Sequence, residues 1–422
     1  LILFLFIVLY FSFILFLSFI YHIDYYQIWK FLGIPAKEII FSDIYPFFVN
    51  DFCKVNSINV EDYYQQFTNC DHWSRLYNYM PIWINFLKLG IHQKYIIYFG
   101  ILFSLLFYLV FFKFITIKSK KVLFIYTLVI LSPSAMLAVE RGNTDLLIFF
   151  FCFIYVILLK KNNSISNILS YILIFFSSLI KFYPIFLVFI CFKKNLLNKI
   201  FGVSIFLIFF FYVIANLPDI YLVKENTQQT FIFSYGYNVL EVGLNNIFYK
   251  LNVIFLASKN YLLGDYQSFN DGISSILYTN DFKNNSFIIS RLLLLLVIFF
   301  FFLKWLKFKN INNQIPNTIN YLFFIAGASI FCGTFVLGAN FDYRLIFLLF
   351  TFPHLIDLKK DNKKFFFIKY KSFVYVVLMY MWIMPLTAFS SGVDEIITWI
   401  IFIFYLDFLS IYYLNLFFKK SS

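Results

Sequence analysis

The sequence predicts an all-α protein that crosses a membrane many times, as a bundle of about 10–12 transmembrane helices with two long outer-face loops. Three observations support this fold class. Hydrophobic residues make up 62% of the 422 residues and charged residues only 13%, whereas soluble domains are closer to a quarter charged. The mean hydropathy is +0.81. Apolar stretches long enough to cross about 30 Å of hydrocarbon recur from one end of the chain to the other.

The apolar stretches place the predicted helices in chain order. The first, residues 2–21, has no basic leading segment and no small-residue cleavage site, so we expect a retained helix rather than a signal peptide. The remaining predicted spans follow the same criterion of length and apolar composition. They are residues 95–113, 121–138, 145–159, 200–217, 287–303, 318–337, 344–357, 372–390 and 396–416.

The apolar segment 165–192 is interrupted by the sequence "KFYP", which begins at Lys181. Lysines flank this segment at both ends, so we expect it to enter and leave the membrane on the same side. Each half is short for a full crossing, and a broken helix pair is tolerated only where protein or water satisfies the freed backbone groups. This interpretation places Lys181 towards the outer side. One long kinked helix is the alternative.

Basic residues concentrate in short loops between the predicted helices. An excess of lysine in short loops marks the cytoplasmic side of a membrane protein. The net charge of +13 therefore predicts orientation, with both termini cytoplasmic, and we expect no nucleic-acid partner. The clusters are Lys113, Lys118, Lys120 and Lys121; Lys160 and Lys161; Lys193, Lys194 and Lys199; Lys304, Lys307 and Lys309; Lys359, Lys360, Lys363, Lys364, Lys369 and Lys371; and Lys419 and Lys420.

Two long loops, residues 22–94 and 218–286, fall on the outer side in this topology and carry many acidic residues. We expect a single integral membrane domain over residues 1–422, located in the cytoplasmic (inner) membrane. Polar and ionisable clusters also fall on the outer side, and such groups at membrane depth usually line a site or a path. They are Asp43; Asp71, Arg75, Asn78 and Tyr79; Arg141, Asn143 and Asp145; Lys181 and Tyr183; and Asp342 and Arg344.

The residue types in these clusters suggest a chemistry. Arg141, Lys181 and Arg344 are cations that could hold a phosphate group. Asp43, a carboxylate just past the first helix, is expected to be free to act as a general base. Together they suit glycosyl transfer from a lipid-phosphate sugar, with the other residues of the clusters contacting substrate. The alternative is a set of internal ion pairs, such as Arg344 with Asp342 or Arg141 with Glu140.

Several segments resemble a known family. "ERGNTDLLIFF", "LIKFYPIFL" and "NFDYRLIFLL" resemble segments of the integral-membrane GT-C glycosyltransferases, and glycosyltransferase family 87, the polyprenyl-phosphate-mannose-type transferases and their bacterial relatives, is the most similar. "FSDIYPF" and "CDHWSRLYNYMPIW" resemble the first outer loop of those relatives, from which His72 and Met80 depart. The resemblance implies a GT-C-like bundle and inverting transfer on the outer face, without an obligatory metal and with Asp43 as the catalytic residue.

The expected partners are a polyprenyl-phosphate sugar donor, a glycolipid or glycan acceptor, and the lipid bilayer. The four histidines show no paired spacing, and no phosphate-binding glycine motif is present, so we expect neither a metal nor another cofactor. Two other function classes stay open. A lipid-linked oligosaccharide flippase or transporter would need polar residues on both halves of the membrane and often an inverted repeat. A polysaccharide polymerase would share the lipid-linked substrates.

Overall fold

The computed structural model describes most of the chain. The described residues are 2–48, 77–87, 89, 91–115, 117–161, 163–193, 196–226, 234–237, 280–307, 318–338, 340–358, 364–365, 368–383 and 393–418. Large parts of both predicted outer loops lie outside these ranges. Asp71 and Arg75, which were predicted to contact substrate, therefore lie outside the described residues.

The described residues are mostly helical. The helices in the first half are α1 (Ile2–Tyr21), α2 (Tyr25–Phe31), α3 (Ile82–Leu87), α4 (Ile96–Phe114), α5 (Lys120–Ile130), α6 (Pro133–Glu140), α7 (Thr144–Lys161), α8 (Ser164–Ile180), α9 (Leu196–Ala215) and α10 (Leu217–Asn226). They are followed by α11 (Asn280–Lys307), α12 (Ile319–Leu337), α13 (Phe352–Asp357), α14 (Phe373–Ile383) and α15 (Val393–Phe418).

Shorter elements connect these helices. Tight 3-10 helices cover Tyr45–Phe47, Gln93–Tyr95, Tyr183–Lys193, Asp342–Thr351 and Tyr370–Ser372. The strands are β1 (Ser234–Tyr235), β2 (Asn340–Phe341), β3 (Lys364–Phe365) and β4 (Ile368–Lys369). They form two antiparallel pairs, β1 with β2 and β3 with β4.

Several helices have the length and composition of membrane spans. Within the described residues, five qualify, and α5 and α6 make a sixth if this pair, bent by 48°, is counted as one span. The five are Ile2–Tyr21, Gln93–Phe114, Asn198–Ala215, Ile319–Leu337 and Glu395–Tyr413. These apolar helices indicate an all-α membrane protein with several spans. The larger number of spans and the two outer loops stay predictions.

The chain divides into two compact units. The first comprises Leu1–Gln229, Gln314–Phe331 and Tyr343–Trp382. In this unit α7 packs against α4 and α8, and the 3-10 helix after α8 packs against α8 and α9. Its core is rich in phenylalanine, and the ring of Phe149 stacks on that of Phe350 with centroids 4.1 Å apart. Stacked aromatic pairs stabilise a core beyond the surface area that they bury.

The second unit comprises Thr230–Asn313, Cys332–Asp342 and Ile383–Ser422. Here α11 packs against α15. Tyr235 of β1 lies opposite Asn340 of β2, and its hydroxyl forms a 2.7 Å hydrogen bond with the hydroxyl of Thr334. These contacts satisfy polar groups that would otherwise be buried without partners. The single domain expected over residues 1–422 stays a prediction.

Three predicted helices differ from the structure, each because of local backbone chemistry. The span predicted at 121–138 is bent, because Ser132 caps a new helix through the N–H of Ala135 and Pro133 occupies its first turn. The interruption predicted near Lys181 is present, since α8 ends at Ile180 and a 3-10 helix follows. The helix predicted at 344–357 is instead a 3-10 helix followed by the short α13. Apolar composition alone does not distinguish these two helix types.

The predicted topology can be tested with single cysteines. Lys118 and Asp357 come from two loops predicted to be cytoplasmic, and they form an ion pair of 2.6 Å. We expect a cysteine at Lys118 or Lys363 to react with an impermeant maleimide only after cells are opened. A cysteine at the exposed Glu38 should react in intact cells. Labelling of Lys363→Cys from outside would contradict the topology.

Candidate functional site

The segment "ERGNTD" joins two helices by a tight turn. Helix α6 ends at Glu140, and the next residues close it in a Schellman motif. The N–H of Gly142 donates to the carbonyl of Val139, and the N–H of Asn143 donates to that of Ala138, both at 3.1 Å. Gly142 has φ +57°, a left-handed conformation that glycine adopts without steric cost. The turn therefore requires glycine at this position.

Asn143 then caps the following helix. Its side-chain Oδ1 accepts a 2.9 Å hydrogen bond from the backbone N–H of Asp145, the role that asparagine favours at a helix start. Asp145 lies in the first turn of α7, where the helix dipole favours a negative charge. These polar residues thus stand at the edge of an apolar region because they end one helix and start the next.

Asp43 comes to this turn from the segment that follows α2. The N–H of Phe41 donates to the carbonyl of Glu140 at 3.2 Å, and the N–H of Asp43 donates to that of Arg141 at 3.1 Å. The Asp43 carboxylate then accepts from Arg141 Nη1 at 3.3 Å and from Asn143 Nδ2 at 2.5 Å. Both oxygens of Asp43 are therefore engaged by residues of the turn.

Asp145 gathers the groups of two further segments. Its carboxylate lies 2.5 Å from Lys181 Nζ and 3.5 Å from Arg344 Nε, and it accepts a 2.7 Å hydrogen bond from the Tyr183 hydroxyl. Lys181 and Tyr183 are available because α8 ends at Ile180. Arg344 is carried by the 3-10 helix Asp342–Thr351. The break in one helix and the tight helix after β2 thus deliver two cations to one acid.

Asn143 connects the two carboxylates. Its Nδ2 donates to Asp43, while its Oδ1 also accepts from Lys181 Nζ at 2.9 Å. The result is one connected network, here called the charge cluster. It consists of Asp43, Glu140, Arg141, Asn143, Asp145, Lys181, Tyr183 and Arg344.

The cations of the charge cluster are more exposed than its acids. The side chain of Asp145 is 0% exposed, whereas those of Arg344 and Arg141 are 20% and 17% exposed. Burial acts to lower the pKa of Arg141, but the carboxylates of Asp43 and Glu140 outweigh it and raise this pKa above its ordinary value. Arg141 is therefore charged, and the accessible face of the charge cluster is predominantly cationic.

Aromatic side chains surround the charged groups. Lys181 Nζ lies 5.5 Å from the ring centroid of Tyr343, and the Arg344 guanidinium lies 5.4 Å from that of Tyr183. Both distances are within the range of cation–π attraction. The Tyr79 hydroxyl donates to the backbone carbonyl of Asp43 at 2.7 Å. These contacts fix the orientation of both cations and of the acid.

The structure brings together most of the predicted site residues of the first unit. Asp43, Arg141, Asn143, Asp145, Lys181, Tyr183 and Arg344 share the charge cluster, and Tyr79 contacts Asp43 through its backbone. Asn78 is partly exposed beside Tyr79. Asp342 is buried and belongs to the second unit, although it precedes Arg344 by only two residues.

Two expectations about these residues need correction. Asp43 was expected to be a free carboxylate, but it is held by Arg141 and Asn143. The reason is that its backbone lies alongside the end of α6, which the sequence does not reveal. Arg344 was expected to pair with Asp342 if the ions were internal, but its ion pair is with Asp145. The alternative pair of Arg141 with Glu140 is present, at 3.8 Å.

The sequence interpretation missed several residues that shape the site. Glu140 is a buried acid beside Arg141, and its position directly before the arginine was the available signal. Phe41, Gly100 and Gly142 form a close contact described below. Nothing in the sequence near Gly100 indicated that this residue of α4 approaches the segment before Asp43.

The fold and the charge cluster define a helical membrane protein with buried, mixed-charge polar groups. Within the described ranges, no group of three or more His, Cys, Asp or Glu residues could hold a metal ion. No protein-family model, curated protein or solved structure matches the chain. The function must therefore be argued from the residues themselves.

The charge cluster predicts which acid matters most for stability. Asp145→Ala would leave Lys181 and Arg344 next to each other without their shared acid, and breaking a buried pair in this way costs about 3–5 kcal/mol. Asp357→Ala is the matched control, because its partner Lys118 is mostly exposed and such pairs contribute about 0–1 kcal/mol. Denaturant unfolding in detergent measures both free energies. Equal losses in the two variants would contradict the central role of Asp145.

Proposed function

We propose that the protein is a membrane glycosyltransferase that moves a sugar from a polyprenyl-phosphate donor to a hydroxyl of a glycolipid or glycan acceptor. The observation that carries this proposal is the arrangement of three cations around one accessible acid. Arg141, Lys181 and Arg344 come from three separate segments and have partly accessible side chains, and Asp43 lies among them. Cations of this kind bind phosphate oxygens.

The cations have distinct roles in the proposed reaction. Arg344 and Lys181 share Asp145, which is fully buried behind them, so their charges are held in place before a donor arrives. Pre-positioned cations stabilise the negative charge that develops on a leaving phosphate without reorganising during the reaction. Asp145 thus has a positioning role, and the polyprenyl-phosphate is the leaving group.

Asp43 is proposed to be the general base, taking the proton from the acceptor hydroxyl as it attacks the anomeric carbon. Attack on the face opposite the phosphate inverts the configuration at that carbon. A carboxylate paired with a guanidinium is a weaker base than a free one. Because the donor phosphate would share Arg141, donor binding would weaken the pair between Arg141 and Asp43. The base would then become stronger only when the donor is present.

The location of the reaction follows from the predicted topology. The basic loops predict a cytoplasmic membrane protein with both termini inside, so the charge cluster would face outside or the periplasm. The resemblance of "ERGNTDLLIFF", "LIKFYPIFL" and "NFDYRLIFLL" to GT-C glycosyltransferases supports the same assignment. The reaction requires no cofactor and no nucleic-acid partner.

Transfer can be distinguished from transport in one preparation. The purified protein in proteoliposomes would receive a radiolabelled polyprenyl-phosphate hexose and a glycolipid acceptor. We expect the label to move to the acceptor in proportion to the amount of protein. Movement of intact donor between the two leaflets without transfer would instead indicate a flippase, and extension of a lipid-linked glycan by whole repeat units would indicate a polymerase.

A further inference from the structure

A single aromatic side chain occupies the space between the segment that carries Asp43 and two glycines. Phe41 lies two residues before Asp43 and has φ +59°. A residue other than glycine rarely adopts this left-handed conformation, and where it does, the surrounding structure must hold it there. Phe41 is also buried, at 7% exposure. Its conformation is therefore imposed by its surroundings.

The two glycines form a slot for the ring, here called the Phe41 slot. A Cβ on Gly100 of α4 would fall on the ring of Phe41. A Cβ on Gly142 would lie 2.8 Å from Phe41 Cβ and Cδ1, closer than side-chain carbons pack in proteins. Glycine at both positions allows the ring to reach the backbone of α4 and the turn after α6. No larger residue would allow the same approach.

The Phe41 slot fixes the backbone of Asp43. The N–H groups of Phe41 and Asp43 donate to the carbonyls of Glu140 and Arg141, so the ring and two hydrogen bonds attach this short segment beside the turn. We infer that Phe41 is a positioning residue, whose ring in the Phe41 slot sets the distance between Asp43 and its partners Arg141 and Asn143. This inference rests on the proposed function in assigning the base role to Asp43.

The first test measures the placement of Asp43 without requiring turnover. In a full-length chain with its native cysteines replaced, Asp43→Cys provides a thiol whose reaction rate with a water-soluble maleimide reports exposure. Because overpacking forces a backbone shift, adding Gly100→Ala should raise this rate about tenfold. Leu105→Ala, an exposed change on the same helix, is the control and should leave the rate unchanged. An unchanged rate in the Gly100→Ala chain would overturn the inference.

The second test asks whether the effect acts through the ring. Gly100→Ala should lower kcat for transfer about tenfold with little change in the donor KM, since the cations keep their positions. In a Phe41→Ala chain the slot is empty, so adding Gly100→Ala should cause no further loss of kcat and no further rise in maleimide reactivity. Equal effects of Gly100→Ala with and without the ring would overturn the inference. If the native protein shows no transfer, the proposed function fails, and the labelling test still decides the placement.

Discussion

Replacing Asp43 with asparagine should lower the rate of transfer by about 10²–10⁴-fold, the contribution of a positioned general base. Asparagine keeps the shape of aspartate but does not take a proton from the acceptor hydroxyl. The variant should still fold, because Arg141 retains its contact with Glu140 and its hydrogen bond to the carbonyl of Pro35. Single-turnover transfer from a labelled donor, measured beside equilibrium donor binding, separates loss of chemistry from loss of binding.

Glu38→Gln is the matched control for this substitution. Glu38 belongs to the same outer segment but is exposed, so the loss of its charge should leave transfer within about twofold of the native rate, as for most surface changes. Near-normal turnover by the Asp43→Asn protein would exclude Asp43 as the base. Asp71, which lies outside the described residues, would then be the next acid to replace.

Removing the charge of Arg344 should weaken donor binding much more than acceptor binding. A hydrogen bond to a charged group contributes about 1.5–3 kcal/mol, so Arg344→Ala should raise the donor KM by about 10–100-fold. Asp145 would keep Lys181 and the Tyr183 hydroxyl as partners, and the variant should therefore retain its fold. Initial rates measured with each substrate varied in turn give the two KM values.

Arg291→Ala removes the same charge elsewhere in the chain. Arg291 lies on α11, outside the charge cluster, and is exposed. Its replacement should change neither KM. An unchanged donor KM in Arg344→Ala, or an equal rise in the acceptor KM, would show that Arg344 does not bind the donor phosphate.

The helical character of the chain was predictable because long apolar stretches have few other stable forms in a membrane. The bounds of α1, α4 and α12 agree with the predicted spans within two residues. The sequence was less informative where the backbone departs from a regular α-helix. The bend at Pro133 carried a recognisable signal in the preceding serine cap, but the 3-10 helix Asp342–Thr351 did not.

The membership of the charge cluster was also largely predictable, because ionisable residues in apolar surroundings are costly and tend to pair. The pairing itself was not. Arg344 contacts Asp145 rather than the nearby Asp342, since partners that are distant in sequence meet only through tertiary packing. The same limit explains why Asp43 was expected to be free and why the contact of Phe41 with Gly100 was not foreseen.

The end of α6 has a consequence for the assembly of the protein. The last carbonyls of a helix have no partner within that helix, and those of Glu140 and Arg141 are taken by the N–H groups of Phe41 and Asp43. A chain made from its N-terminal end produces Asp43 well before the turn that receives it. The segment around Asp43 therefore waits for the insertion of α6 and α7 before it docks. Arg344 arrives last, so the complete charge cluster is a late product of membrane insertion.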